Sequence, residues 1–246
     1  MPPRGYAVSD KSFVVVAAHV GDFVWRAGGA IACHAKLGLK PIVVCLSYGA
    51  YGESAKLYED KAMTAAKARD IRREEAESAA RILGAEIHFL GEEDYPLRPT
   101  AEMFETTVRL LRKHQPAFMM THPRVDPSNW DHVETFRFAV EARQVAQAQG
   151  RPWGEIAGAP QVYCFEPHQP EICEYVPDTY LDITEVWEQK FAAMQCLKGQ
   201  VSLWSYYKGV AEKNGNLARR RNFGSALYAE SFQRVFPTTM SRLDPV

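Results

Sequence analysis

The chain has 246 residues and a formal net charge of −1, and 24% of its residues are charged. Its cationic residues form no stripe of the kind that nucleic-acid binding requires, so we expect no nucleic-acid partner. No apolar run reaches the roughly 18 residues that a membrane-spanning helix needs, and the N-terminus lacks the apolar core of a signal peptide. We therefore expect a cytoplasmic protein with no membrane partner.

Apolar runs alternate along the chain with longer amphipathic stretches. The apolar runs are short and rich in Val, Ile and Phe, as is typical of strands covered on both faces, and they span 13–18, 41–47, 86–90, 117–121 and 161–165. The stretches between them are predicted helices and span about 24–37, 60–83, 101–114 and 132–149. The second helix is rich in Ala, Glu and Arg and is followed by Gly84, a residue typical of helix C-termini.

This order of elements predicts an α/β fold with a doubly wound, mostly parallel sheet flanked by helices. After about residue 167 the pattern predicts one more short strand, 180–183, and a helix that begins at Thr184. No linker, repeat or low-complexity tract divides the chain. We therefore expect a single domain over 1–246, with a core at about 12–183 and a C-terminal helical extension at about 184–246.

Two groups of polar residues follow predicted strands at the edge where such sheets bind ligands. In a sheet of strand order 3-2-1-4-5, the first and fourth strands are neighbours at the point where the order reverses. The side chains that follow these two strands are His19, Asp22, His122, Asp126, Asp131 and His132. Imidazole and carboxylate ligands from separate loops suit zinc, and two His with one carboxylate also suit iron.

The sequence argues against two other kinds of cofactor site. The five cysteines include no CxxC pair, so neither a zinc-thiolate knuckle nor a disulfide framework is indicated. The first turn after a strand reads HVGDFVWRAGG instead of GxGxxG, which argues against a dinucleotide-binding enzyme.

Four motifs in chain order resemble those of one known family. They read AAHVGDFVWRAGGAIACHA, THPRVDPSNWDHVE, LDITEVWEQKFAAMQCLKGQ and ALYAESF, and they are similar to the motifs of the PIG-L/LmbE-like superfamily of zinc deacetylases. The resemblance runs from about Phe13 to Phe236 and implies a Rossmann-like sheet. Carried over by position, it implies a metal site formed by His19, Asp22 and His132.

The first motif departs from the deacetylase pattern beside the metal ligands. Deacetylases of this superfamily carry an Asp general base immediately before the ligand Asp, and Gly21 stands at that position here. Phe23 replaces the Glu that follows the ligand, and Ser128 and Asn129 lie where a second-motif His is often found. Because glycine cannot accept a proton, the pattern indicates a metal site without the base of a deacetylase.

One branch of the superfamily, the zinc-dependent 4-oxalomesaconate (4-carboxy-2-hydroxymuconate) hydratases, resembles the chain more closely. The shared traits include DFVWRAGGAIA, LSYGxxGES and, most distinctive, FEPHQPE. This resemblance implies a hydro-lyase that adds water to a C=C bond of a small tricarboxylate in gallate and protocatechuate breakdown. Ala50 stands where we expect a Glu of this branch, which leaves Glu53 as the nearest carboxylate.

We expect the remaining site residues to move protons and bind substrate. His168, which follows the fifth predicted strand and titrates near neutrality, is the leading acid/base candidate, and Glu53 is the second. The residues expected to bind substrate are Arg26, Tyr51, His122, Asn129 and Arg221. Several of these have a structural alternative, such as a solvated helix Arg or a strand-end His bound to backbone.

Two other functions stay open at this point. A zinc-dependent N-deacetylase of an acetylated sugar or related amide would need Asp126 or Asp131 to replace the missing base. A binding protein without catalysis would fit the change at Ala50 but not a complete His-Asp-His set. Self-association is common in the superfamily, so the resemblance also implies a homo-oligomer, in which Arg221 could reach a neighbouring subunit's cleft.

Overall fold

The computed structural model describes residues 11–221 and 224–238. The strands within these residues are β1 (Ser12–Ala17), β2 (Lys40–Ser47), β3 (Glu86–Glu92), β4 (Phe118–Thr121), β5 (Gln161–Phe165), β6 (Thr179–Asp182) and β7 (Ala229–Arg234). The α-helices are α1 (Asp22–Lys36), α2 (Ala65–Leu83), α3 (Ala101–His114), α4 (Trp130–Ala146), α5 (Trp187–Gln195) and α6 (Leu203–Arg219). Within the same residues, no helix combines the length and apolar character that a membrane crossing needs.

The strands form one mixed sheet in the order β3-β2-β1-β4-β5-β7-β6. Strands β1 to β5 are parallel, and β7 runs antiparallel to both β5 and β6. The order reverses between β1 and β4, as the doubly wound prediction requires. The carboxyl ends of these two strands therefore define one crevice, where ligands bind in folds of this kind.

The continuous apolar run of β1 is explained by a core on each face of the sheet. Val15 and Ala17 pack into the cluster that faces α1 and α5, whereas Val14 and Val16 pack into the cluster that faces α3 and α4. All six residues of β1 are buried. Successive side chains of a strand point to opposite faces, so a strand buried on both faces must be apolar throughout.

Three predicted elements differ from the observed ones. The helix predicted from Thr184 begins as the 3₁₀ turn Thr184–Val186, and α5 follows only from Trp187. The second helix begins at Ala65 rather than near residue 60, because the Thr64 side chain caps it by accepting a hydrogen bond from the Lys67 backbone N–H. The C-terminal part is not purely helical, because it also supplies β7, which pairs between β5 and β6. Since β7 completes the sheet of the core, this pairing supports our proposal of a single domain over 1–246.

A buried ion pair fixes α1 against the sheet. The Lys190 Nζ lies 2.6 Å from Glu230 Oε1 and also donates to the Trp25 carbonyl. The Glu230 carboxylate in turn accepts the backbone N–H groups of Gly29 and Ala30, at 2.7 Å each. α1 begins with Asp22, one of the candidate metal ligands, so this ion pair helps to place the functional site.

Candidate metal centre and active-site cleft

Three side chains converge where β1 and β4 end. His19 lies just after β1, Asp22 is the first residue of α1, and His132 lies in the first turn of α4. Their potential ligand atoms all lie within 4.8 Å of one another, and all three residues are buried. The structure thus brings together the three residues that the sequence indicated as metal ligands.

Within the described part of the chain, each of the two candidate ligand histidines has one imidazole nitrogen without a hydrogen-bond partner. These nitrogens are Nδ1 of His19 and Nε2 of His132, and both are buried. Nδ1 of His19 lies 3.3 Å from Asp22 Oδ2, and Nε2 of His132 lies 3.7 Å from Asp22 Oδ1. Because buried polar atoms are normally bonded, two such nitrogens beside a carboxylate fit a divalent metal with two nitrogen ligands and one oxygen ligand.

A carboxylate holds the opposite nitrogen of each imidazole. Nε2 of His19 lies 3.2 Å from Asp131 Oδ2, and Nδ1 of His132 lies 2.7 Å from Asp126 Oδ2. Such contacts orient each ring and, in its neutral form, place the proton on the carboxylate side and the lone pair on the nitrogen that faces the candidate metal site. Sequence analysis placed Asp126 and Asp131 near the crevice but did not assign them this role.

Further donors hold both supporting carboxylates in place. Asp131 accepts the backbone N–H groups of Tyr95 and Leu97, each at 2.9 Å. Asp126 Oδ1 accepts the backbone N–H and the hydroxyl of Ser128, at 3.2 and 2.6 Å. Each carboxylate is therefore held in a fixed position against the imidazole that it orients.

The charges of this cluster depend strongly on one another. Burial favours the neutral form of His19, but its contacts with Asp131 and Asp22 outweigh burial and raise its pKa to about 10. Burial and the neighbouring His122 lower the pKa of His132 to about 3. A metal must therefore displace a proton from His19 but not from His132, so metal affinity is expected to fall on acidification.

His122 lies behind the metal ligands and does not line the cleft. Its side chain is fully buried, its ring stacks on His132 at 4.0 Å, and its Nε2 lies 3.3 Å from Asp22 Oδ2. The same nitrogen is 3.0 Å from the Ala18 backbone N–H. This position corrects the expectation that His122 binds substrate, because the ring can reach only the supporting layer behind Asp22.

A cleft of about 280 Å³ opens beside the three candidate ligands. Asp22 and His132 form part of its wall, together with Arg26, Glu53, Asn129 and His168. The cleft therefore contains both expected acid/base residues and two of the residues expected to bind substrate.

Arg26 places a cation at the inner wall of the cleft. Its Nη1 donates to the Glu166 carbonyl at 3.1 Å, and its Nε lies 3.5 Å from Asp22 Oδ1. Only 7% of the residue is exposed. A guanidinium held in this way still has N–H groups to offer, and its planar fork suits a substrate carboxylate.

Glu53 faces the metal centre and is held by three donors. The Tyr95 hydroxyl donates to Oε1 at 2.9 Å, the Asn129 amide donates to Oε1 at 3.2 Å, and the Gln200 amide donates to Oε2 at 3.1 Å. Oε1 lies 3.9 Å from Nδ1 of His19. Asn129 also donates to the Tyr95 hydroxyl. Its amide therefore holds Glu53 and Tyr95 in place, which differs from the substrate-binding role that was expected.

His168 stands at the mouth of the cleft. Its ring stacks on Tyr206 with a centroid separation of 4.1 Å, and the Tyr206 hydroxyl donates to the His168 carbonyl at 2.6 Å. Burial and the nearby Arg26 cation lower the pKa of His168. The imidazole is therefore neutral near pH 7 and can accept a proton.

Two expected substrate-binding residues lie outside the cleft of this chain. The Tyr51 hydroxyl donates to Glu93 at 2.9 Å, and 45% of the residue is exposed. Arg221 packs over the ring of Tyr180 at 5.0 Å. Tyr180 lies on the edge strand β6, and two strands, β5 and β7, separate β6 from β4 at the cleft. Two tyrosines that sequence analysis did not assign to the site lie closer to it: Tyr207 lines the cleft, and Tyr95 donates its hydroxyl to Glu53.

Comparison with known proteins agrees with this geometry. Residues 14–143 match the model of the family described as PIG-L: GlcNAc-PI de-N-acetylase. The chain belongs to the PIG-L family. The matched segment runs from β1 into α4, so this PIG-L segment contains the three candidate ligands and Glu53, whereas His168 and Gln200 lie beyond it.

Individual PIG-L relatives match almost the whole chain. The 4-oxalmesaconate hydratase of Pseudomonas putida KT2440 is 50% identical to it, with 98% of this chain and 95% of that protein covered. The crystal structure of GalB, the 4-carboxy-2-hydroxymuconate hydratase of the same organism, superposes with a TM-score of 0.92 at 50% identity, with 95% of this chain and 100% of that chain covered.

A more distant structure shares the fold. The N,N'-diacetylchitobiose deacetylase of Pyrococcus horikoshii has a TM-score of 0.75 at 23% identity, with 92% of this chain and 84% of that chain covered. The same sheet and helices thus occur in a deacetylase and in a hydratase, so the reaction must be argued from the residues of the site.

Proposed function

We propose that this PIG-L protein is a metal-dependent hydro-lyase that adds water to a C=C bond of 4-oxalomesaconate (4-carboxy-2-hydroxymuconate). Its product would be 4-carboxy-4-hydroxy-2-oxoadipate. Two lines of support are the 50% identity to a Pseudomonas putida hydratase over 98% of the chain and the arrangement of the cleft. The observation that carries the proposal is that the cleft still contains two acid/base groups, Glu53 and His168, in addition to the metal ligands and the carboxylates that orient them.

The alternative of an N-deacetylase lacks the general base that deacetylases of this family carry beside the ligand Asp. Gly21 has no side chain at the position of the deacetylase Asp, and only Asp126 and Asp131 were candidates to replace it. Asp126 is bonded to His132 and Ser128, and Asp131 is bonded to His19 and two backbone N–H groups. Both carboxylates are thereby committed to holding the metal ligands.

A divalent metal fits the centre formed by His19, Asp22 and His132. The two buried, unpartnered imidazole nitrogens and the adjacent carboxylate suit zinc, and the same donor set suits iron. When bound, the metal supplies Lewis-acid stabilisation of negative charge on the oxo or enol oxygen of the substrate. We propose zinc as the resident metal because of the resemblance to zinc-dependent relatives.

Arg26 would bind and orient one carboxylate of the substrate. Among the described residues that line the cleft, Arg26 is the cationic side chain next to Asp22. The substrate has three carboxylates, so a fixed guanidinium next to the metal centre selects which end of the molecule enters first. His168 borders the same cleft, so a substrate held by Arg26 would lie in the cavity that His168 lines.

Hydration requires one proton to leave water and one proton to reach carbon. The titratable groups of the cleft not assigned to the metal centre or to carboxylate binding are Glu53, His168 and Tyr207. Burial raises the pKa of Tyr207, so its phenol stays protonated at neutral pH. We propose that neutral His168 accepts the proton of water and that Glu53, the second acid/base group, takes up a proton from solvent and delivers it to carbon.

A paired activity assay tests this proposal. Metal-loaded protein is incubated with 4-carboxy-2-hydroxymuconate, and loss of the diene absorbance is followed while NMR identifies the product. A second arm follows acetate release from N-acetyl sugars. We expect hydration and no acetate; acetate release without hydration would overturn the proposal and restore the deacetylase alternative.

A role in gallate and protocatechuate breakdown, a cytoplasmic location and a homo-oligomeric state are further parts of the proposal. They rest on the hydratase branch that the sequence motifs resemble. A substrate panel, fractionation of the source cells and size-exclusion chromatography with light scattering test them separately.

A further inference from the structure

Gln200 joins Glu53 to the interior of the protein. It ends the 3₁₀ turn Lys198–Gln200 between α5 and α6, and its amide group lies between three side chains. Oε1 accepts Arg72 Nη2 at 2.7 Å and Trp25 Nε1 at 3.3 Å, while Nε2 donates to Glu53 Oε2 at 3.1 Å. Because two N–H donors meet at the oxygen, the amide has one satisfactory orientation, with its NH₂ group toward Glu53.

Arg72 anchors this amide from below. Its side chain is fully buried on α2, and its Nη1 lies 2.7 Å from Glu75 Oε2. Glu75 also accepts the Gly199 backbone N–H at 2.8 Å through its other oxygen. One buried carboxylate thus holds both the arginine that orients Gln200 and the backbone next to Gln200, so the amide has little freedom to move.

Gly21 provides the space into which Gln200 fits. A Cβ at this position would lie 2.7 Å from Trp25 Nε1 and 2.8 Å from Gln200 Oε1, with Arg72 Nη2 at 3.2 Å. The backbone of Gly21 has φ −85° and ψ −28°, a conformation that any residue adopts. The glycine is therefore explained by space and not by backbone conformation.

We propose that Gln200 is a positioning residue that holds the Glu53 carboxylate for hydration, and that residue 21 is glycine because Gln200 and its partners occupy the adjoining volume. The bond to Oε2 turns the other oxygen of Glu53 toward His19 and the metal centre. This inference rests on the proposed function through the acid/base role of Glu53. Gln200 acts through Glu53 and needs no contact with substrate.

The decisive variant is Gln200→Glu, which keeps the acceptor oxygen for Arg72 and Trp25 but replaces the donor to Glu53 by a second carboxylate oxygen. A purely structural Gln200 would tolerate this change, since the contact with Arg72 gains an ion pair. A positioning Gln200 predicts a kcat about 100-fold lower at similar KM, because misplacing an acid/base group by about 1 Å costs that much. Gln195→Glu, at an exposed position on α5, is the matched control.

Gly21→Ala tests the same contact from the other side. The added methyl group must displace Gln200 or Trp25, so we expect kcat to fall in the same direction as in Gln200→Glu. Gly158→Ala is the control, since no atom lies within 4 Å of a Cβ at that position. Metal content and thermal unfolding are measured for every variant, so that loss of metal or of folding is separated from loss of positioning.

Crystal structures of the unsubstituted protein and of Gln200→Glu provide a readout that does not depend on activity. We expect the variant to retain the Arg72 contact and to show the Glu53 carboxylate turned away from His19. Wild-type kcat in Gln200→Glu, or a Glu53 carboxylate in its original place, would overturn the inference. If the unsubstituted protein fails to hydrate the substrate, the proposed function fails, and these structures alone decide whether Gln200 positions Glu53.

Discussion

The substitution Asp126→Asn should weaken metal binding without altering any metal ligand. Asp126 Oδ1 accepts two donors from Ser128, while Oδ2 faces Nδ1 of His132 at 2.7 Å. In the variant, the Asn oxygen must stay with the Ser128 donors, so its NH₂ group faces Nδ1 of His132. Nδ1 then becomes an acceptor, and the proton moves to Nε2, the nitrogen that faces the metal.

The expected cost follows from this change of tautomer. Removing a carboxylate that supports a ligand His typically reduces metal affinity about 10- to 100-fold, which corresponds to about 1.4–2.8 kcal/mol. The fold should tolerate the change, because the Ser128 contacts remain. Zinc affinity is measured by competition with a chromophoric chelator at constant pH, and thermal unfolding of the metal-free protein is the stability check.

Glu134→Gln is the matched control for this experiment. Glu134 lies on the same helix as His132, is partly exposed, and pairs with the surface residue Arg137. We expect its zinc affinity to equal that of the unsubstituted protein. An unchanged zinc affinity in Asp126→Asn would refute the account of the tautomer, and an equal loss in both variants would show a general effect of charge.

Three further predictions concern catalysis, pH and stability. His168→Ala should lower kcat by about 10²- to 10⁴-fold with metal content unchanged, and a kcat near wild type would remove His168 from the mechanism. Burial lowers the pKa of His168 below its ordinary 6.5, and only the neutral ring accepts a proton. We therefore expect kcat/KM to fall as the pH drops through that lowered pKa. A fall centred above pH 7, with the metal retained, would contradict the assignment. Lys190→Met should destabilise the fold by about 3–5 kcal/mol, because Glu230 is left as a buried unpaired charge. Lys36→Met breaks an exposed pair with Glu185 and should have little effect. The free energy of unfolding of both variants is measured with denaturant.

The sequence predicted the elements that arise from local pattern. Apolar runs bounded by turns located β1 to β5 closely, and β5 was predicted with its observed bounds, Gln161–Phe165. The strand order then brought the ends of β1 and β4 together, and with them His19, Asp22 and His132. These predictions succeeded because periodicity and the rules of parallel sheets depend on neighbouring residues and on chain order alone.

The sequence did not predict contacts between residues far apart in the chain. Gln200 and Glu53 are separated by 147 positions, and no local pattern relates them. The strand β7 was missed for a similar reason, because AESFQR is short and becomes a strand only by pairing between β5 and β6. Its burial is a property of the assembled sheet.

The conformation of one loop determines that Tyr95, and not Tyr51, reaches Glu53. The Tyr51 and Gly52 backbone N–H groups both bond to the Asp94 carboxylate, which directs the Tyr51 side chain outward to Glu93. A Cβ at Gly52 would lie 2.1 Å from the Tyr95 ring, so this glycine makes room for Tyr95 beside Glu53. Neither effect can be read from residue types alone.

The central claim is that a metal held by His19, Asp22 and His132 supports hydration, and a metal titration tests it most directly. Protein stripped with a chelator receives zinc in steps, and the initial rate of 4-carboxy-2-hydroxymuconate hydration is measured at each step, with His132→Ala in parallel. The account predicts no activity without metal, a rate that saturates at one metal ion per chain, and no recovery in His132→Ala. Full activity in the stripped protein, or equal recovery in His132→Ala, would contradict it.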